Sequence, residues 1–382
     1  MKEFVEFLKK ELENIRKLKR YRFLRIISSK PDIRITLNQK QVLNLCSNNY
    51  LGLAGHPKLI EAEIKACKEY GTGSTGSRLI TGTMEIHKHL ENEVAKFKNS
   101  EKAIIFNTGY MANIGILTSI VSDGDAIFSD EYNHASIVDG CKMSKAAKFI
   151  YKHCNMEHLE TLLKKSHKFK NKLIVTDSVF SMDGDIAPLP DIIYLAEKYN
   201  AFVMTDDAHA TGILGENGSG SAEYFGLEGK IHIQMGTFGK ALGTFGAYVA
   251  GCNELISFLI NKSRPLIYTT ALPPGIVGAT LKSLEIVKSD EGKNRRKLLL
   301  KKAEELRKIL NSYNLETLNS ETQIIPLLIG DEETTMKLSE KLLEKGIFIQ
   351  GIRPPTVPEG MCRLRISLTV STDFKILEKL LS

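Results

Sequence analysis

No apolar run in the 382 residues approaches the roughly 20 that a membrane span requires, because charged residues interrupt every candidate. The first residues, MKEFVEFLKKELENIRKLKRYRFLR, place apolar side chains at helical spacing among lysines and glutamates. They lack the uninterrupted apolar stretch of a secretory signal and are expected to belong to the mature fold; the glutamates disfavour a basic amphipathic presequence. The six cysteines, Cys46, Cys67, Cys141, Cys154, Cys252 and Cys362, form no C-x-x-C pair and follow no regular spacing. That argues against a disulfide framework or a zinc site and fits a reducing, cytoplasmic setting. Internal repeats and low-complexity linkers are missing as well. The net charge is +7, but the lysines are spread along the whole chain rather than gathered in a block. No nucleic-acid surface is therefore expected. A milder attraction for anionic small molecules is: phosphates, carboxylates or an acyl carrier.

What is present reads as an ordinary globular chain, with 42% hydrophobic and 25% charged residues and length enough for more than one domain. An N-terminal helix is expected to about Lys19, then a short strand pair near 33–36 and 42–46, and helices around Pro57–Tyr70 and Met84–Lys98. From Lys102 the pattern changes to short apolar runs separated by amphipathic stretches: AIIF (103–106), AIF (126–128), KFI (148–150), LIVT (173–176), AFVMT (201–205), IHIQM (231–235) and AYVA (247–250). Strands alternating with helices predict an α/β fold with a large, mostly parallel, doubly covered sheet. After Pro274 two long helical stretches lead to a small α+β unit, with strands QIIPLLI (323–329), IFIQ (347–350) and RLRISL (363–368) and a final short helix. The expected division is an N-terminal segment, 1–45, joining the small domain; a large α/β domain, 46–262; and linking helices with the small C-terminal α+β domain, 263–382.

Two glycine motifs fail their context tests. GTGSTG (71–76) matches G-x-G-x-x-G, but it follows the helical LIEAEIKACKEY rather than a strand, so it is not a dinucleotide fingerprint. GTFGKALG (236–243) has only two residues between glycines where a P-loop needs four, and Ala241 stands where a hydroxyl is required. Lys240 nevertheless sits in a Gly-rich turn between two apparently buried strands, a setting that can turn an amine into a nucleophile and base. DDAHATGILG (206–215) follows a strand at the end where α/β sheets bind ligands. Asp206 and Asp207 point to opposite faces, so only one reaches the site. A metal held by Asp206 and His209 is the rival reading; no further cluster at ligand spacing completes it, and no metal is expected. NTGYMAN (107–113) opens a helix after a strand and forms an anion site from free N–H groups and the helix dipole. His134, in DEYNHASIVDG, and the loop DSVFSMDGD (177–185) are further strand exits. Together these supply an anion cradle, a ring-stacking group, a carboxylate for a pyridine nitrogen and a confined lysine, the parts of a pyridoxal-5′-phosphate (PLP) site.

From LNLCSNNYLGLAGHP through VFSMDGD, DDAHATGILG, TFGKALG and YTTALPP to IRPPTVPEGMCRLRISLT, the chain resembles the α-oxoamine synthases, PLP enzymes with the aspartate-aminotransferase fold. IRPPTVPEG and SDEG…RR are most similar to the biotin-pathway branch; glycine C-acetyltransferase or another α-oxoamine synthase is the alternative. Tyr110 where Phe is common, and Asp177 where Glu is frequent, are mild departures. The resemblance implies that Lys240 holds the cofactor and moves protons, Asp206 pairs with the pyridinium, and His134 stacks on the ring and contacts substrate. It puts Ser181 and His209 near the phenolic oxygen, and Gly109, Tyr110 and Thr237 around the phosphate. Thr269 or Thr270 would reach the neighbouring subunit's cofactor, which implies a homodimer with shared active sites. Arg365 would grip the amino-acid carboxylate with Asn48 nearby. Arg22 and Thr356 would contact the acyl substrate, with Arg20 and Arg25 standing close to Arg22. The implied reaction condenses L-alanine with pimeloyl-CoA or a pimeloyl-acyl carrier protein, with loss of carbon dioxide.

Overall fold

The computed structural model describes residues 1–373. Its centre is a seven-stranded sheet whose strands lie in the spatial order Lys102–Phe106, Ala247–Gly251, Ile233–Thr237, Phe202–Asp206, Lys172–Asp177, Ala126–Asp130 and Ala147–Tyr151. The last five pair in parallel, and Ala247–Gly251 runs antiparallel to both of its neighbours. The apolar runs are continuous because both faces are covered. Leu173, Val175, Met204 and Met235 enter one buried cluster, and Ile174 and Val203 enter another on the opposite face.

Two three-stranded sheets complete the chain. Arg34–Leu37 pairs with Lys40–Asn44, which lies parallel to Ile347–Phe348, so the N-terminal segment adds strands to a C-terminal one. Ile324–Gly330 and Gln350–Ile352 flank Cys362–Ser367, both antiparallel. Helices Pro274–Lys288 and Asp290–Ser312 connect the sheets.

Local chemistry sets the element ends. Pro57 starts the Pro57–Tyr70 helix behind His56, whose ring accepts from Lys58 N–H. The N-terminal helix covers Lys2–Lys17 and stops short of the expected Lys19, which adopts φ 54°. IFIQ is not one strand: the chain changes sheets at Ile349, which is itself buried, so its two halves pair with different partners. The run expected at 231–235 is displaced to Ile233–Thr237. The final short helix lies outside the described residues. No helix among those described is long and apolar enough to cross a membrane.

Candidate active site

Parallel strands deliver their carboxyl ends to one edge of the large sheet. There a cavity of about 180 Å3 is lined by Gly109, Tyr110, Asn113, His134, Asp177, Ser181, Asp206, His209, Thr237 and Lys240, among others. A larger groove of about 630 Å3, between helices Pro57–Tyr70, Glu85–Phe97 and Pro274–Lys288, is lined largely by Lys and Glu side chains and contains none of these groups.

One wall is the start of helix Gly109–Ile120, which Thr108 caps by accepting the Met111 N–H at 3.1 Å. A Cβ on Gly109 would come within 2.7 Å of Thr237 Cγ2, so only glycine lets this helix end approach the strand. Thr237 Oγ1 is buried without a hydrogen-bond partner. A lone hydroxyl beside a helix N-terminus is a donor set suited to an anion.

Asp206 ends the central strand. Its Oδ2 accepts from Asn113 Nδ2 at 2.8 Å and its Oδ1 from the Ala208 N–H at 2.9 Å, donors that suit an anion. Asn113 also donates to Ser136 Oγ at 2.8 Å. In the parallel ladder Asp177 lies directly opposite Asp206. Asp177 Oδ2 accepts the His134 N–H at 2.8 Å, while burial, and next the charge of Asp206, push its carboxyl well above the usual range. Asp207 faces the other way and pairs with Lys98 Nζ at 2.8 Å, both side chains being wholly buried.

His134 caps helix Ala135–Met143 by accepting the Ser136 N–H on Nδ1. Burial lowers its pKa, Asp206 opposes that and Lys240 reinforces it. His209 Nδ1 lies 2.7 Å from the Tyr50 hydroxyl. Lys240 stands in a turn closed by Phe238 N–H to Gly246 O and Gly243 N–H to Lys240 O, both 2.9 Å. Burial pulls its ammonium below the ordinary lysine range, against the raising effect of Asp206 and Asp177. A lysine so placed carries a neutral, nucleophilic amine more readily.

Arg365 flanks the cavity rather than lining it. It donates from Nε to Ser181 O at 2.5 Å and from Nη1 to Ser367 Oγ at 2.6 Å, and both Nη atoms stand 3.4 Å from Asn48 Oδ1. Arg22 and Thr356 are exposed and do not line the cavity. Arg20 borders a separate groove with Pro354 and Glu359, and Arg25 lies over the Phe348 ring. Thr269 lines a small crevice beside Arg78, and Thr270 O accepts Asn107 Nδ2 at 2.8 Å, so neither residue enters the cavity of its own chain.

Five cavity residues are not among the site groups expected from the sequence: the polar Asn113, Ser136 and Asp177, and the apolar Ala208 and Met235. Asn113 stands four residues after Gly109 and so shares its helix face. Asp177 repeats Asp206 at the end of the similar strand LIVTD. Away from the cavity, Asp130, His153 and Cys154 converge. His153 contacts Asp130 at 3.0 Å and Asp185 at 2.8 Å through its two nitrogens. Burial lowers its pKa, but those carboxylates outweigh it and lift it to about 12.

The family model for class I and II aminotransferases matches residues 40–380. The chain belongs to that family. It is 49% identical to an 8-amino-7-oxononanoate synthase of Geobacter sulfurreducens, over 97% of this chain and 94% of the relative. A lysine-to-alanine variant of the serine palmitoyltransferase from S. paucimobilis, solved with a bound PLP–myriocin aldimine, superposes with TM-score 0.91 at 31% identity, covering 98% of this chain and 94% of that one. An 8-amino-7-oxononanoate synthase of Francisella tularensis does so with TM-score 0.78 at 30% identity, covering 89% and 96%. The aminotransferase-family cavity here fits PLP. The unpartnered Thr237 hydroxyl at the Gly109 helix start suits its phosphate, Asp206 its pyridine nitrogen, and Lys240 its aldehyde.

Proposed function

We propose that this chain is a PLP-dependent acyltransferase that condenses L-alanine with a pimeloyl thioester, giving 8-amino-7-oxononanoate, carbon dioxide and free thiol in biotin biosynthesis. The observation that carries the reading is the single cavity in which Lys240 and Asp206 meet the Gly109 helix start. The biotin-pathway assignment draws its support from the identity to relatives bearing that name.

When bound, PLP supplies an electron sink for charge developing at the amino-acid α-carbon. The chain supplies the rest. The backbone at Gly109 and Tyr110 and the Thr237 hydroxyl hold the phosphate. Asp206, which accepts hydrogen bonds from Asn113 and the Ala208 N–H, would pair with the protonated pyridine nitrogen. His134 would lie against the ring, its orientation set by its helix-cap contact with Ser136 N–H. Ser181 and His209 serve the phenolic side. Lys240 Nζ, pulled toward neutrality by burial, takes and returns the α-proton. Arg365 and Asn48 receive the alanine carboxylate in a charge-assisted fork. Arg22 and Thr356 are assigned to the pimeloyl end, which requires the exposed segments carrying them to border the site when substrate is bound. Thr269 or Thr270 serves the neighbouring subunit's phosphate, so the working unit is a homodimer, located in the cytoplasm. The acyl carrier is coenzyme A or an acyl carrier protein.

Borohydride reduction of the PLP-loaded protein followed by peptide mass mapping tests the site. A phosphopyridoxyl mass on the peptide containing Lys240 is expected. Labelling of a different lysine, or none, overturns the assignment.

A further inference from the structure

His134 and Ser181 reach the cavity on two separate segments, and a side chain outside the cavity stands between those segments. His153 follows strand Ala147–Tyr151. Its Nδ1 lies 3.0 Å from Asp130 Oδ1 and its Nε2 lies 2.8 Å from Asp185 Oδ2. Both acids are buried, and an ionised carboxylate only accepts, so a ring protonated on both nitrogens serves the two contacts at once. The Cys154 thiol lies further off, 3.8 Å from the same Nε2 and 4.0 Å from Asp185 Oδ2. Tyr132 stacks on the imidazole and Phe180 meets it edge-on, each with ring centroids 4.4 Å away.

Each end of this contact anchors a different part of the site. Asp130 ends strand Ala126–Asp130, and its carboxylate also accepts the Tyr132 and Cys154 N–H groups at 2.9 Å each. The turn it holds leads directly to His134. Asp185 closes the loop that carries Ser181: its backbone oxygen accepts the Phe180 N–H at 3.1 Å, and Val179 bridges to Ile186. Arg365 leans on the same loop through Ser181 O. We infer that His153 is a positioning residue that clips the turn leading to His134 onto the Ser181 loop and so sets the spacing of those two groups across the cavity. What the two groups then do there, one against the ring and one on the phenolic side, rests on the PLP reading.

Amide hydrogen exchange read by peptide mass spectrometry tests the clip on the full-length chain before PLP is added. His153→Gln breaks the span, because one amide nitrogen cannot stand on both sides of a ring's width. Asp185→Ala cuts only the loop end and leaves the imidazole in place. In both variants, peptides covering 178–187 should exchange faster while the central strands of the large sheet do not. Asp185→Asn keeps an acceptor oxygen for the ring and should stay close to wild type. The His153→Gln/Asp185→Ala double variant should be little worse than either single one, since both break one link. Loaded with PLP and given both substrates, the two cut variants should lose kcat on the order of 10- to 100-fold, the scale of a group misplaced by about 1 Å. KM for the pimeloyl thioester should stay near the wild-type value, and Asp185→Asn should keep its turnover. Wild-type exchange over 178–187 in both cut variants, or wild-type kcat in them, overturns the inference. So does faster exchange spread evenly over the molecule, which would make His153 a stabilising residue alone. Borohydride labelling that misses Lys240 would sink the PLP reading, while the exchange pattern would still decide the clip.

Discussion

Two neighbouring strands end in the same dipeptide, Thr176–Asp177 and Thr205–Asp206, and they lie in register. Two carboxyl groups side by side in a confined site cannot both ionise cheaply. Asp206 takes the donors from Asn113 and Ala208, while burial, and next the charge of Asp206, raise the Asp177 carboxyl well above the usual range, so that it holds its proton more readily. Because the folded state holds that proton above the ordinary Asp pKa of about 3.9, its stabilising effect is full below that pH and is lost as pH rises through the raised folded value. Asp177→Asn should remove this slope, at most about 1.4 kcal/mol per pH unit. Urea unfolding across pH should therefore show the variant gaining on the wild type from about pH 4 upward; parallel curves would mean that Asp177 is ionised in the fold. Asp206→Asn should weaken PLP retention by about 1.5–3 kcal/mol, the worth of a hydrogen bond to a charged group, read by equilibrium dialysis. Unchanged retention would remove Asp206 from the pyridine nitrogen. From the sequence, Asp206 stood out as a strand-end acid. Its division of labour with Asp177 did not, because that depends on an asparagine from a separate helix.

At the scale of elements, alternation along a strand predicts that only one of Asp206 and Asp207 reaches the site, and the structure sends Asp207 to Lys98. Burial pushes the Lys98 ammonium toward neutrality, but Asp207 and Tyr248 outweigh it and hold its pKa above the ordinary value. Ser221 donates to the same carboxylate from Oγ at 2.6 Å and from its backbone N–H at 3.2 Å. The pair thus ties the end of helix Glu85–Phe97 to the back of the strand that presents Asp206. Lys98→Met would leave a buried carboxylate without its cation, at a cost of about 3–5 kcal/mol. Denaturant unfolding should show that loss, and a change below about 1 kcal/mol, the range of exposed pairs, would mean the pair is not dry. Local patterning could not reveal this tie, since Lys98 lies 109 residues from its partner. The same limit explains IFIQ: periodicity marks extended chain but not the sheet in which each half pairs.

Across the whole molecule, the large parallel sheet was legible because buried strands write themselves as short apolar runs between helices. The residues gathered at its carboxyl edge were legible as a set because their motifs fall in order along the chain. Arg22 and Thr356 remain outside that geometry, on exposed segments away from the cavity. If Arg22 reads the far carboxylate of a pimeloyl chain, Arg22→Ala should raise KM for the pimeloyl thioester well beyond its effect on an uncharged acyl chain of equal length. Equal effects would make it structural or a carrier contact. On the amino-acid side a pocket separates alanine from glycine by only about 1–3 kcal/mol, so preference there should be partial. The most direct measurement supplies the PLP-loaded protein, in parallel reactions, with L-alanine and a pimeloyl thioester and with glycine and acetyl-CoA, and identifies the products by mass spectrometry. The account predicts 8-amino-7-oxononanoate with carbon dioxide from the first pair as the dominant product. A preference for glycine and acetyl-CoA would contradict the biotin-pathway assignment, and no condensation with either pair would contradict the proposed chemistry itself.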